Sequence, residues 1–266
     1  MSSTAPFASD RFRNAAQHYL SGRPAYSPAL IRRVARIAGL DGTQHLLDLG
    51  CGPGQLSLAF ASWVAKAVAI DPEPAMLDVA AQLGAGIAPN VEYRQGSSYD
   101  LDASLGPIHL AVIGRAFHWM DRADTLARLD TLIVERGAIA LFNTAHLDDP
   151  LRPWAAQYRT LLDQYANLDP ARKLRQSSDW ESHADVLASS AFCAIERVSV
   201  IEYRRVSAEQ LKARPLSMSS LSRERLGDKL DTLLEGIDAL ISAHSTDGWL
   251  IERIESTATI ATRALA

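Results

Sequence analysis

His45-Leu46-Leu47-Asp48-Leu49, followed directly by Gly50-Cys51-Gly52-Pro53-Gly54, reads as a buried strand that runs into a glycine turn and opens a helix at Gln55. Glycine suits such a turn because a Cβ would block both the backbone torsions and the approach of a ligand to the main chain. A tight turn with no ligand is the plain alternative. Three alternate glycines are more than a turn requires.

Outward from this stretch, short apolar runs alternate with helical stretches, the sign of a parallel sheet covered on both faces. Strands are predicted at 45–49, 67–71, 91–95, 109–114 and 137–142, with helices between them, among them 55–65 and 75–83. Upstream, Ser27 precedes Leu30, Ile31, Val34, Ile37 and Ala38 at helical spacing, a capped amphipathic helix that ends near Gly39. Ligands of such doubly wound sheets bind outside the carboxyl ends of the strands. After Asn143 the alternation breaks. Trp154, Tyr158, Leu161, Leu162 and Tyr165 form an apolar helical stripe with no adjoining strand, so residues 144–190 are expected to form a helical cap inserted in a single domain spanning 1–266. The sheet resumes at 194–206, whose alternation suits an antiparallel strand near an edge. A helix over 223–243 and a final strand over 249–260 follow.

The composition is that of an ordinary globular chain, with 47% apolar and 22% charged residues among 266. A net charge of -4 and a pI near 6.0 give no general attraction to phosphate backbones, so no nucleic-acid partner is expected. No window approaches the ~20 apolar residues of a membrane span, and 1–10 lacks the basic start and apolar run of a signal peptide. A cytoplasmic protein without a membrane partner is therefore expected. Cys51 and Cys193 read as reduced thiols, and neither they nor the histidines form a metal-ligand pattern, so no metal is expected. Oligomeric state is not legible.

The acids around the glycine loop narrow the ligand. Asp71 closes Val68-Ala69-Ile70 about twenty residues past the loop, where a carboxylate can accept hydrogen bonds from two ribose hydroxyls. A nicotinamide dinucleotide site would share that acid, but would place its third glycine where this chain has Gln55 and would rarely place Asp48 beside the loop. Asp48 suits a cationic ligand.

With Asp48, Gly50, Gly52 and Gly54 in place, the sequence resembles the class I, Rossmann-like S-adenosylmethionine-dependent methyltransferases, and the resemblance continues through Asp71-Pro72-Glu73-Pro74-Ala75-Met76. It implies an α/β, mostly parallel seven-stranded sheet with an antiparallel last strand. It also implies S-adenosylmethionine as cofactor, held by the loop from Gly50 and Cys51 to Gly54 and Gln55. Asp48 would lie near the amino end of its methionine moiety, Asp71 and Pro72 at the ribose, and Met76 near the adenine with Gly96, Ser97 and Ser98. Asp100 is a second acidic candidate there. Upstream, Tyr19-Leu20-Ser21-Gly22-Arg23-Pro24-Ala25-Tyr26 resembles the segment that folds over the cofactor in that family. By the same resemblance Tyr19 and Arg23 join the cofactor site, Arg23 as a partner of the carboxylate, and Tyr26 faces the substrate.

Gly114-Arg115-Ala116-Phe117-His118-Trp119-Met120-Asp121 follows the fourth strand, at the sheet end where substrate and transferred methyl meet. It resembles the His-Trp motif of small-molecule methyltransferases akin to the trans-aconitate methyltransferase group. Arg115 is assigned to the cofactor side. His118 is the candidate catalytic residue, since an imidazole can take a proton from a hydroxyl or amine, or merely orient the acceptor. A packed histidine is the alternative. Phe117 and Trp119 read as walls, favourable beside a sulfonium, and Trp154 as a cap residue toward a small, partly apolar substrate. Arg172, Lys173 and Arg175 could attract an anion, but such runs are usually solvated faces. The function expected is in-line methyl transfer to a small-molecule acceptor. A nicotinamide-dependent oxidoreductase, or a protein that binds the methyl donor without transferring methyl, are the alternatives.

Overall fold

The computed structural model describes residues 16–166 and 169–264; the 1–10 stretch read for a signal peptide lies outside them. In chain order the elements are α1 (Ala16–Gly22), α2 (Pro28–Ile37), β1 (His45–Leu49), α3 (Gln55–Phe60), β2 (Lys66–Asp71), α4 (Pro74–Gly84), β3 (Val91–Gln95) and β4 (Ile108–Gly114). Then come α5 (Arg122–Leu132), β5 (Ile133–Leu147), α6 (Trp154–Ala166), α7 (Pro170–Gln176), α8 (His183–Ala188) and β6 (Ala194–Ser207). The chain closes through α9 (Ala208–Leu216), α10 (Arg223–Leu226), α11 (Lys229–His244) and β7 (Trp249–Thr262).

The seven strands lie in the order β3-β2-β1-β4-β5-β7-β6. Neighbouring strands from β3 to β5 pair in parallel, and β7 pairs antiparallel with both β5 and β6. Thus β7 alone runs against the sheet: β6, expected as an antiparallel strand, is antiparallel to β7 but shares the direction of β1. The chain builds outward from β1 through β2 to β3, then crosses to β4 on the other side of β1. That crossing makes the switch point at which a crevice opens outside the strand ends.

Alternate residues of β1 serve two separate cores. Leu47 and Leu49 pack with α5 residues Leu126 and Leu129, while Leu46 packs with Leu30 and Val34 of α2 and Phe60 of α3. Burial on both faces is why β1 is an unbroken apolar run rather than an alternating one. Two predicted helices are shorter than their patterns suggested. The 55–65 helix gives way to a 3-10 turn at Ala61–Trp63, and the 223–243 helix breaks at Gly227, whose φ of +50° and ψ of -129° leave the helical region. The fifth strand is longer than predicted, because its pairing with β7 runs on to Leu147 and Arg253.

Residues 144–190 supply only part of the helical layer. Trp154, Tyr158 and Leu162 of α6 share a core with Leu211 of α9 and Leu233 and Ile237 of α11. By contrast, Val186 and Leu187 of α8 join the core under the sheet.

Candidate functional site

The three loop glycines all take left-handed torsions, with φ of +70° at Gly50, +53° at Gly52 and +76° at Gly54. A Cβ at Gly50 would stand 2.6 Å from the Ala116 Cβ, whereas at Gly52 it would enter open space. The amides of Gly50 and Cys51 both donate to the Ile70 carbonyl, at 2.8 and 3.0 Å, which ties the loop to the end of β2. From there Asp71 reaches back: its Oδ2 accepts from the Gly52 amide at 2.8 Å and its Oδ1 from the Glu73 amide at 2.9 Å. Burial raises the Asp71 pKa, and the two amide hydrogen bonds oppose the rise. Each carboxylate oxygen can still accept another hydrogen bond.

Asp48 sits elsewhere than expected. It is fully buried beneath the loop, where its Oδ2 accepts from the Ser57 amide at 2.9 Å and the Ser57 hydroxyl at 2.5 Å. Its Oδ1 has no hydrogen-bond partner, and burial pushes its pKa from 3.8 to about 7. The carboxyl therefore braces the loop on the start of α3 and is not on the wall of the cavity above.

That cavity holds about 900 Å³ of empty space, part of it open to solvent. Gly50 and Gly52 line it with Asp71, Pro72, Met76, the Gly96-Ser97-Ser98 turn, Tyr19 and Arg115. Asp100 acts through Ser97: its Oδ2 accepts from the Ser97 amide at 2.7 Å and hydroxyl at 2.8 Å, which shapes the turn. Several expected contacts fall outside. Cys51, Gly54, Gln55 and Arg23 are absent from the wall; Gly54 faces Ala80 and Tyr93, and the Gln55 Oε1 accepts from Arg115 Nη2 at 2.7 Å. Arg115 is held between the rings of Tyr26, at 4.7 Å, and Tyr19, at 5.6 Å, and is the one described residue outside glycine with a positive φ, +57°. Tyr26 is buried behind it against Phe142, not on a cavity wall.

A second cavity, with about 1380 Å³ of empty space, shares Tyr19, Arg115, Ala116 and Trp119 with the first. Phe117, His118 and Arg23 line it. Arg23 is half-buried and its Nη2 donates to the Ser217 carbonyl at 3.3 Å; desolvation lowers its pKa to about 10, so it stays cationic at neutral pH. Trp154 lines a third cavity instead, with about 1010 Å³ of empty space, under the helical layer. Burial first, then the charges of Arg175 and neighbouring groups, hold the His118 pKa down from 6.5 to about 3, so the ring is neutral at physiological pH.

Sequence reasoning missed Asn143, Thr144, His183, Arg197 and Thr257, all on the wall of the second cavity. One signal was available. Arg172 and Arg175 are three residues apart on a helix and so share a face; both line this cavity, while Lys173 is exposed. Among the described residues no cluster of three or more His, Cys, Asp or Glu could hold a metal ion, and no helix is long and apolar enough to cross a membrane.

Residues 46–137 match the model of a methyltransferase domain. The chain is 24% identical over 233 residues to an uncharacterized methyltransferase of Schizosaccharomyces pombe, covering 85% of this chain and 88% of that one. It is 25% identical over 200 residues to an uncharacterized methyltransferase of Mycobacterium bovis, covering 68% and 77%. Among solved structures it is similar to a SAM-dependent methyltransferase from Thiobacillus denitrificans in complex with S-adenosyl-L-homocysteine, with a TM-score of 0.56 at 14% identity over 98% of this chain and 100% of that one. The fold is that of the class I methyltransferases.

Proposed function

We propose that this chain, an S-adenosylmethionine-dependent methyltransferase, passes the methyl group to a small-molecule acceptor held in the second cavity. What carries the reading is the shared wall: Tyr19, Arg115, Ala116 and Trp119 belong to both the cavity over the glycine loop and the arginine-lined one beside it. A donor in one and an acceptor in the other would meet there. The resemblance of the Arg115 to Asp121 run to small-molecule methyltransferases akin to the trans-aconitate group supports a small acceptor.

The residues over the loop fit the cofactor. Asp71 keeps acceptor capacity toward the cavity for ribose hydroxyls, and the left-handed Gly52 leaves open the space a Cβ would fill. Arg115 rather than Arg23 is the cation on this wall, and so the candidate for the cofactor's carboxylate. When bound, S-adenosylmethionine supplies a methyl group already activated on a sulfonium. The protein's task is then to hold acceptor and donor in line and keep water out, effects that can supply several kcal/mol. Tyr19 and Trp119 wall the junction with aromatic faces, which favour a cation beside them. His118 borders the acceptor side and, being neutral with a pKa of about 3, orients the acceptor there.

Calorimetry and acceptor-dependent release of S-adenosylhomocysteine test the proposal. Binding of S-adenosylhomocysteine and its release on adding a small acceptor are expected. Tight binding of a nicotinamide dinucleotide with none of S-adenosylhomocysteine would overturn it, and cofactor binding without release across a broad acceptor panel would favour a non-transferring protein.

A further inference from the structure

The second and third cavities share Arg23, Arg115, Thr144, Arg172 and Met218, so they are adjoining chambers. Their walls differ in chemistry.

The second chamber is cationic. Arg23, Arg115, Arg175 and Arg197 line it, together with Arg172, which is paired with Asp163, and among the described residues no Asp or Glu does, in a protein whose net charge is -4. Its other polar groups are neutral: the Asn143 amide, the hydroxyls of Thr144 and Thr257, and the ring of His118. With low-dielectric walls around them, arginines gathered in this way focus a field that favours an anion.

Three arginines of the third chamber are paired with carboxylates, and Arg23, Arg115 and Arg253 line it as well. Arg159 is paired with Asp148, Arg172 with Asp163, and Arg214 with Glu252, the last through two hydrogen bonds at 3.0 and 3.2 Å, with His146 also on Glu252 at 3.1 Å. The polar atoms of its aromatic residues are turned away as well. Tyr158 donates its hydroxyl to the Leu211 carbonyl at 2.6 Å, and Trp154 its Nε1 to the Ile251 carbonyl at 3.2 Å. What these rings offer the chamber, with Leu162 and Met218, is apolar surface.

We infer that the acceptor is an amphipathic acid, its anionic head among the arginines of the second chamber and its apolar aliphatic or aromatic tail in the third. The inference rests on the methyltransferase reading, since it takes the second chamber as the acceptor site.

The test is calorimetric titration of the protein saturated with S-adenosylhomocysteine, using butanoate, hexanoate, octanoate and the matching alcohols. Affinity should rise about fourfold per added methylene along the acids, the fold-change that ~0.8 kcal/mol per buried CH₂ gives. Octanol should bind at least about tenfold more weakly than octanoate, the difference expected when a charge-assisted pairing of ~1.5–3 kcal/mol is missing. Arg197→Gln should weaken all three acids together. Ala155→Phe, which adds bulk to the third chamber, should abolish the gain from butanoate to octanoate and leave butanoate unchanged; Ala155→Leu serves if that variant does not fold. A flat length series, octanol equal to octanoate, or equal loss of butanoate and octanoate in the filled variants would overturn the inference. Failure of the wild-type protein to bind S-adenosylhomocysteine would instead overturn the methyltransferase reading beneath it.

Discussion

The Asp71 carboxylate accepts a hydrogen bond from the Gly52 amide at 2.8 Å, so the acid that ends β2 also holds the glycine loop that ends β1. Nineteen residues separate them in sequence. The parallel register, which sets Leu49 beside Ile70, brings them together.

Replacing Asp71 by Ala should therefore weaken S-adenosylhomocysteine by more than the loss of ribose contacts alone. Hydrogen bonds to a charged group are worth about 1.5–3 kcal/mol each, so a loss of at least tenfold, and on the order of a hundredfold, is expected by calorimetry. Asp71→Asn should fall between the two, since its amide oxygen can still accept one of the loop's N–H groups. Unchanged affinity in the Ala variant would remove Asp71 from the site.

Gly52 and Gly39 make a matched pair. Both have positive φ, +53° and +65°, and at both a Cβ meets nothing within 4 Å. Either Gly→Ala change should cost about 1–2 kcal/mol of stability from the left-handed backbone alone. Only Gly52→Ala should also weaken the cofactor, because only its Cβ enters the cavity. Thermal unfolding paired with calorimetry separates the two effects, and equal cofactor affinity in the two variants would contradict the placement of Gly52.

Asp48 should leave a mark on the pH dependence of stability. Its folded-state pKa is raised from 3.8 to about 7, so the protonated carboxyl favours the fold. The contribution is fully present below about pH 3.8 and is lost as pH rises through about 7. Asp48→Asn, which cannot ionise, should escape this loss. The stability of the variant relative to the native protein should thus rise between pH 4 and 7, by about 4 kcal/mol at most, as followed by denaturant unfolding. A difference constant with pH would show that the buried carboxyl does not titrate there.

His118 gives a contrast of magnitudes. A general base contributes about 10²–10⁴ in rate, whereas one neutral orienting hydrogen bond of ~0.5–1.5 kcal/mol contributes about tenfold or less. With its pKa near 3, His118→Gln should lower turnover by no more than about tenfold, and turnover between pH 5 and 8 should show no inflection belonging to this ring. A hundredfold loss with a native inflection near neutrality would restore the base.

The five parallel strands and the glycine loop were readable because their signals are local. Apolar runs such as Leu46-Leu47 fall within one strand, and three glycines in five residues state a torsional need that no neighbour has to explain. Asp71 was readable for the same reason, as the last residue of a strand a fixed distance beyond the loop. Asp48 was located in sequence but misread in space, because whether a strand-end carboxyl faces a cavity or Ser57 depends on the packing of α3 against the sheet. The apolar stripe of α6 announced a buried helix, but not that its partners would be α9 and α11, some fifty to eighty residues away.

The sequence alone thus settles the order of the strands along the chain, the glycine turn after the first of them and the acid that ends the second, since each depends on backbone torsions and side-chain period within a few residues. Tertiary structure decides the rest: that Arg197 from β6 joins Arg172 and Arg175 from α7 and Arg23 from the N-terminal segment in one chamber, and that His118 there is neutral. Burial and electrostatic field sum over groups distant in the chain, and no window of sequence contains that sum.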